Sequence, residues 1–425
     1  MKTNAKPGDY IEIHFSKVIY EGVLLEVPES EKGIVLLKLD SGYNIGFNRK
    51  DVLEIKLKKK SKEFDENFKI KNDSKKPTIA MILTGGTIAS KYNPKTGGVH
   101  PLTKPEEFFK YYPEILDKVN VNVEIPFMKA SEDMGFKDWQ KIAKIVEKYL
   151  KDGNIRGIVI THGTDTLHYT SAALSFFLGN LNKPVVLTYS QRSIDRASSD
   201  ANLNLKCASL AAISDIAEVM LVGHANESDD FCYAMPGTKV RKLHTSRRDA
   251  FKVVNSKPFA KIFPDRIEIL SNYKRSTKEK TKSDFKFEEK TALLKVYPGQ
   301  NPDILDYYVK NKFKGLVIEM FGLGHVPTKG ARMSWIKKLK EVQSKGMIIC
   351  ATPQTINGRL NPLVYSNGRD ILETGVIYLE DMLSETAFVK LGWVLGHKEW
   401  AKSKEIVKEK MLHNFSHELN ERLEE

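Results

Sequence analysis

Thr84–Ser90 (TGGTIAS) directly follows the apolar run Ile79–Leu83 (IAMIL), which is typical of a buried strand. A second loop of the same kind, Thr161–Thr166 (THGTDT), follows the apolar run Ile158–Ile160. In open α/β sheets, ligands bind at the carboxyl ends of the strands. We therefore expect the two loops to lie side by side at this edge of a sheet and to form one site.

The two loops contain the groups that amide or ester hydrolysis through a covalent intermediate requires. Paired glycines leave backbone N–H groups free to bind a developing oxyanion, and Thr87 follows them with a hydroxyl. A threonine hydroxyl needs a base or proton relay at neutral pH. Thr164 and Asp165 can provide it together with Lys242 from a third segment, Gly237–Thr245. Either loop alone would be an ordinary turn, and Thr164 is also a possible attacking hydroxyl.

Composition restricts the class of protein. The 425 residues are 41% hydrophobic, enough for two or three domains with separate cores. No apolar run reaches the roughly 18 residues that cross a bilayer, and the first residues lack an apolar signal core. The sequence therefore predicts a cytoplasmic protein with no membrane contact. The formal net charge of +13 is compatible with RNA binding, although charged runs are usually solvated surface.

Metal binding is not predicted. Cys207, Cys232 and Cys350 are far apart, so we expect buried thiols rather than a disulfide framework or a zinc site. His162 and His168 have no recognised ligand spacing, and a hydrogen-bonded structural role is the simpler interpretation.

Hydrophobic patterning divides the chain into five segments. Residues 1–57 contain short strand patterns and tight turns, including one at Asp40–Asn44, and predict a small SH3-like β-barrel. Residues 58–76 form a Lys-rich linker, and residues 271–290 form a charged connector. Strands and helices alternate in 77–270, which predicts an α/β domain with a doubly wound parallel sheet. Residues 291–425 predict a smaller α/β domain with terminal helices.

Thr84–Ser90 and His162–Thr166 resemble the two signature motifs of the bacterial-type L-asparaginase family, and the likeness extends from about residue 79 to about residue 395. The resemblance implies an asparaginase-like body of two domains with the nucleophile at Thr87. Thr164 and Asp165 would assist it. Lys242, nine residues before Phe251, would be the relay lysine.

The same resemblance assigns residues that bind substrate. The run Ser131–Met134 (SEDM) places substrate contacts on Ser131 and Glu132, and the glycines Gly86 and Gly163 complete the set. One feature departs from the family. Secreted asparaginases use a lid tyrosine about 13 residues beyond the nucleophile, where this chain has His100, and the nearest tyrosine is Tyr92.

The N-terminal β module, together with Thr352–Arg359 and Glu380–Ala387, resembles the glutaminase subunits of archaeal tRNA-dependent amidotransferases. The resemblance implies that the chain hydrolyses glutamine and delivers ammonia to a partner subunit, called E in that family. That partner would use ATP, with Mg, to amidate Glu-tRNA(Gln). We expect no cofactor in this chain, because it has no P-loop motif. A homodimer within a heterotetramer is the implied assembly.

Two other interpretations remain open. A free-standing cytoplasmic L-asparaginase or glutaminase would hydrolyse asparagine vigorously without any partner. A catalytically silent RNA- or protein-binding scaffold would release no ammonia, and the presence of all four expected catalytic side chains argues against it.

Overall fold

The computed structural model describes residues 4–25, 27, 33–39, 44–60, 72–92, 99–102, 108–109, 112, 115–193 and 199–422. For residues 38, 44, 91, 92 and 99–101 it describes the backbone only. The turn predicted at Asp40–Asn44 and most of the predicted 58–76 linker therefore lie outside the described residues.

The N-terminal segment forms a five-stranded antiparallel sheet in the order β4-β3-β2-β1-β5. The strands are β1 Tyr10–His14, β2 Ile19–Leu24, β3 Ile34–Lys38, β4 Asn44–Asn48 and β5 Glu54–Lys59. Ile11 and Ile13 alternate with polar neighbours along β1 and are fully buried against Val35 and Leu37. The five predicted strands are confirmed, and the sheet agrees with a small β-barrel module.

The central sheet has eight strands in the order β17-β16-β13-β12-β11-β10-β6-β9. Their bounds are β6 Thr78–Leu83, β9 Asn120–Glu124, β10 Ile155–Thr161, β11 Val185–Thr188, β12 Val219–His224, β13 Cys232–Pro236, β16 Ala260–Ile262 and β17 Ile267–Ile269. The strands β9, β6, β10, β11 and β12 are parallel, and the last three are antiparallel. The predicted doubly wound parallel sheet is confirmed over these five strands, and three antiparallel strands that were not predicted extend it. A parallel crossover needs about a dozen residues, and the short loop after His224 allows only a reversal.

Helices cover both faces of this sheet, as a doubly wound fold requires. The helices are α1 Ile115–Lys118, α2 Phe136–Lys151, α3 Leu167–Phe177 and α4 Ala201–Ala212. Ala80 and Ile82 of β6 pack with α2 and α3, whereas Ile79 and Met81 pack with α4 on the other face. Burial on both faces explains the unbroken apolar run at this strand. The short hairpins of the domain are β7 Ser90–Tyr92 with β8 Val99–Pro101, and β14 Val240–Lys242 with β15 Phe251–Val253.

A second, four-stranded parallel sheet follows in the order β18-β19-β20-β21. Its strands are β18 Thr291–Lys295, β19 Gly315–Met320, β20 Ile348–Pro353 and β21 Ile377–Tyr378. Its helices are α5 Ile304–Lys310, α6 Ile336–Ser344, α7 Ser366–Leu372, α8 Ser384–Gly396 and α9 Lys404–Leu412. The helix α8 packs on α3 of the first domain as well as on β19, so it belongs to both cores. None of the helices in the described part of the chain is long and apolar enough to cross a membrane.

A buried ion pair fastens the two domains together next to the β14 strand. Lys239 Nζ donates to Asp381 Oδ2 at 2.7 Å, and both side chains are 0% exposed. Asn420 donates its backbone N–H and its amide to the same carboxylate. Asn255 bonds to Gly358 through both amide atoms. These contacts fix the strand that presents Lys242 to the sheet edge.

Candidate active site

The two hydroxyl-rich loops meet at the carboxyl edge of the central sheet, as predicted. Strands β6 and β10 are parallel neighbours with Leu83 opposite Thr161, so both loops begin at the same level. Thr84 Oγ1 donates to the Thr161 carbonyl at 2.7 Å. Gly86 has φ of +81°, and a Cβ there would lie 2.5 Å from backbone atoms of Gly163. The two loop backbones are thus in direct contact at Gly86 and Gly163. A threonine follows each of these glycines, Thr87 in the first loop and Thr164 in the second.

Thr87 begins a 3₁₀ turn, Thr87–Ala89, directly after the paired glycines. Thr87 itself is partly exposed, while Ile88 and Ala89 are fully buried. Ser90 Oγ donates to the Gly86 carbonyl at 2.8 Å and closes the turn. Buried residues on its C-terminal side therefore anchor the turn, and Thr87 is left partly exposed beside the second loop.

Lys242 lies against the second loop and bonds both of its predicted partners. Its Nζ donates to Thr164 Oγ1 at 2.7 Å and to Asp165 Oδ1 at 2.8 Å. The Lys242 side chain is 12% exposed, whereas that of Asp165 is 62% exposed. In the β14–β15 hairpin Lys242 pairs with the buried Phe251, which explains why the spacing between these residues matters. The structure thus brings Thr164, Asp165 and Lys242 together in one hydrogen-bonded set.

A third loop joins the site through Ser131. Its side chain is 2% exposed, and its Oγ accepts a bond from the Asp165 N–H at 3.2 Å. Thr166 Oγ1 donates to the Ser131 carbonyl at 2.7 Å, a contact that sequence reasoning missed. A Cβ on Gly163 would lie 2.8 Å from Ser131 Oγ, so only glycine fits there. Glu132 follows as an exposed residue of the 3₁₀ turn Ser131–Asp133.

The two positions considered for the lid belong to the β7–β8 hairpin. Tyr92 ends β7 and His100 lies in β8, and their side chains are outside the described residues.

His162 is a buried structural residue of the second loop. It is fully buried, with Nδ1 donating to the Gly163 carbonyl at 2.7 Å and Nε2 accepting from Thr170 Oγ1 at 2.9 Å. Burial lowers its pKa to about 4, so the ring is neutral at neutral pH. The predicted hydrogen-bonded role is confirmed for His162, whereas the buried Nδ1 of His168 has no hydrogen-bond partner among the described residues. Within the described residues, no group of three or more His, Cys, Asp or Glu side chains could hold a metal ion.

The buried His162 predicts acid destabilisation. Its pKa is about 4 folded and about 6.5 unfolded, so the unfolded state binds more protons between these values. The contribution of His162 to the free energy of unfolding is therefore fully present above pH ~6.5. It decreases by about 3 kcal/mol as the pH falls towards 4. Urea unfolding at a series of pH values should show a shallower acid dependence for His162→Gln. The exposed control, His413→Gln, should keep the original dependence. Equal slopes for His162→Gln and the unaltered chain would contradict this account.

Two charged residues close to Lys242, Arg241 and Glu385, were not among the predicted site residues. Arg241 Nε donates to Glu385 Oε1 at 2.9 Å, and Glu385, on α8, is 6% exposed with a pKa raised by burial. His168 Nε2 lies 3.9 Å from the same oxygen, and burial lowers its pKa to about 3. The pair joins the Lys242 strand to the second domain, across 144 residues of sequence. A carboxylate near the start of an otherwise apolar helix was the one available hint.

The fold and this site define the chain as an amidohydrolase of the asparaginase class. Residues 78–275 match the asparaginase N-terminal family, and residues 290–409 match the glutaminase/asparaginase C-terminal domain. The structure superposes on the thermostable L-asparaginase of Thermococcus kodakarensis with TM-score 0.71 and 28% identity, over 81% of this chain and 100% of that one. L-asparaginase I of Vibrio cholerae gives TM-score 0.69 and 28% identity, over 81% and 99%.

The remaining matches identify the family more closely. Residues 5–57 match the GatD N-terminal domain family. The D-type subunit of the glutamyl-tRNA(Gln) amidotransferase of Pyrococcus furiosus is 47% identical over 97% of this chain and 94% of the relative. The equivalent subunit from Methanothermobacter thermautotrophicus, which has the same name, is 41% identical over 98% and 94%. The chain belongs to the GatD family, the D-type subunits of glutamyl-tRNA(Gln) amidotransferases.

Proposed function

We propose that this chain is the subunit of a glutamyl-tRNA(Gln) amidotransferase that hydrolyses glutamine and supplies ammonia to a partner subunit. The main support is the contact of Lys242 Nζ with Thr164 Oγ1 and Asp165 Oδ1, next to the loop that presents Thr87. These groups are the ones that a threonine nucleophile needs. The family match over nearly the full length supports the biological role.

In the proposed reaction, Thr87 Oγ1 attacks the side-chain amide carbon of glutamine. Its proton passes through Thr164 towards Lys242 Nζ, so that the hydrogen-bonded set of Thr164, Asp165 and Lys242 acts as the general base. Asp165 orients the lysine through the bond at 2.8 Å. The tetrahedral oxyanion is stabilised by backbone N–H groups of the glycine loops, each typically contributing about 3–4 kcal/mol. The C–N bond then breaks and the leaving amine takes the proton from Lys242 to depart as ammonia. Water hydrolyses the ester on Thr87 and releases glutamate.

Substrate binding is assigned to the three loops. We assign Ser131 and Glu132 to the binding of the α-amino and α-carboxyl groups of glutamine, and Glu132 is exposed. Gly86 and Gly163 allow the substrate to approach the backbone, because side chains at either position would collide with neighbouring loops.

The proposal assigns ATP, with Mg, and the Glu-tRNA(Gln) amidation to a partner subunit of the E type. Relatives that are D-type subunits of the amidotransferase imply such a partner complex. We propose a homodimer of this chain within a heterotetramer, acting in the cytoplasm where charged tRNA is found. We propose the following domain boundaries for the chain: a β module at 1–57, a linker at 58–76, an α/β domain at 77–270, a connector at 271–290 and a second α/β domain at 291–425.

A free-standing L-asparaginase remains a second candidate, because solved L-asparaginases share the fold at 28% identity. Ammonia release by the purified chain, from glutamine and from asparagine, separates the two functions. We expect weak turnover alone, and a rise on glutamine when the partner subunit and Glu-tRNA are added. Fast asparagine hydrolysis that ignores these additions would establish the free asparaginase instead.

A further inference from the structure

A cavity of about 630 Å³ opens at the amino-terminal edge of the central sheet, opposite the active site. Its walls come from the start of β10, the segment before β11, the end of α4 and the connector. Its polar lining side chains include Lys151, Arg156, Asn182, Lys183, Lys278 and Lys280, together with Asp215 and Thr281.

Positive charge dominates this cavity. Five of its lining residues are basic, and Asp215 is its one acidic lining residue. Asp215 already accepts a bond from Tyr273 at 2.9 Å and lies 3.7 Å from Arg275. Arg156, Lys278 and Lys280 are exposed, and the ion pairs of the described residues give them no carboxylate partner. Uncompensated cations that converge on a concave surface attract and concentrate anions.

Lys183 shows that the cavity tolerates a partly buried cation. Its Nζ donates to the backbone carbonyls of Tyr149 and Asp152, and burial lowers its pKa. The Asp152 carboxylate nearby opposes this shift only in part, since burial has the larger effect. An anion in the cavity would reduce this electrostatic cost.

Two neutral polar groups on the wall have unused hydrogen-bonding capacity. Thr281 is 8% exposed, and its hydroxyl has no partner among the described residues. Asn182 Nδ2 donates to the Leu150 carbonyl at 3.3 Å, which leaves Oδ1 as an acceptor without a described donor. A ligand that fits must therefore offer a hydroxyl or N–H donor as well as negative charge.

We propose that this cavity binds the ribose-phosphate backbone of RNA. Phosphate oxygens satisfy the converging cations, and a ribose 2′-hydroxyl is a donor for Asn182 Oδ1. An acidic protein segment is the less suited ligand, since the net charge of +13 favours a long polyanion. The inference rests on the proposed function, because it gives the RNA of that reaction a contact on this chain. Its test measures binding and does not require ammonia release.

The test uses the full chain and a fluorescently labelled RNA hairpin with a single-stranded 3′ end, followed by anisotropy over a range of salt concentrations. Lys278→Glu combined with Lys280→Glu should weaken binding at least about tenfold and flatten the salt dependence. The matched control is Lys337→Glu with Lys340→Glu, two exposed lysines of the α6 helix that change the net charge equally. The control should change affinity by less than about twofold. Equal weakening by both pairs would overturn the proposal, because only overall charge would then matter.

Three further arms identify the ligand. Asn182→Leu should reduce the preference for RNA over DNA of the same sequence, and an unchanged preference would overturn the 2′-hydroxyl contact. Competition by a mononucleotide at similar concentration would overturn the proposal by showing that a free nucleotide, not an RNA chain, is the ligand. Tight binding of polyglutamate with no RNA binding would assign the cavity to an acidic protein and overturn the proposal. Ammonia release from glutamine in the absence of RNA should be unchanged in the Lys278/Lys280 variant, so failure here is distinguishable from failure of the proposed glutaminase.

Discussion

Thr87→Ala is expected to lower kcat for ammonia release from glutamine by at least about 10⁴-fold. The variant removes the hydroxyl that forms the acyl-enzyme, whereas the backbone of the Gly86 loop and the Lys242–Thr164 bond remain. Residual activity would come only from substrate positioning and oxyanion stabilisation. Turnover at saturating glutamine, with the partner subunit present, provides the measurement.

Two control variants distinguish the proposed nucleophile, Thr87, from the proposed proton relay, Thr164. Thr87→Ser keeps a hydroxyl and should retain measurable turnover, while Thr164→Val should slow the reaction without preventing labelling of Thr87. An electrophilic diazoketone analogue of glutamine, followed by peptide mass mapping, identifies the attacking residue. Full activity in Thr87→Ala, or a label on Thr164, would overturn the assignment.

Lys239→Met should lower the free energy of unfolding by about 3–5 kcal/mol. The change leaves the Asp381 carboxylate, which is 0% exposed, without its cation partner. Burial also lowers the pKa of Lys239, which shows that desolvation opposes its charge and that the pairing with Asp381 offsets it. Urea unfolding followed by tryptophan fluorescence gives the free energy.

A double variant tests whether the missing charge partner is the cause. Lys239→Met with Asp381→Leu removes both charges and should recover most of the lost stability. Lys144→Met, at an exposed site on α2, should change stability by no more than about 0.5 kcal/mol. If the double variant is less stable than Lys239→Met alone, an uncompensated Asp381 is not the source of the loss.

Local pattern was enough to predict that the two threonine-containing loops lie side by side. The apolar run before Thr84 is continuous because β6 is buried on both faces, and its end marks the sheet edge where the loops meet. The spacing between Lys242 and Phe251 followed from the resemblance, and its physical basis is their pairing in the β14–β15 hairpin. These features depend on residues close together in sequence or on strand order.

Contacts between residues that are far apart in the sequence could not be predicted from the local hydrophobic pattern. Glu385 bonds Arg241 only because α8 packs against both domains. The three antiparallel strands after His224 are short, and their periodicity is too brief to distinguish from loop. In the connector, Phe287 stacks on Phe136 with ring centroids 5.7 Å apart, so this segment is partly anchored although its composition is that of an exposed connector.

The buried Lys239–Asp381 pair also affects when the enzyme can start to work during its own synthesis. The chain emerging from the ribosome has both threonine loops well before Asp381 and Glu385 have been added. Until then, the strand that presents Lys242 lacks the ion pairs of Lys239, just before it, and of Arg241, within it. We therefore expect glutamine hydrolysis to begin only after the C-terminal helices have folded onto the first domain, and a chain truncated before Asp381 to release no ammonia.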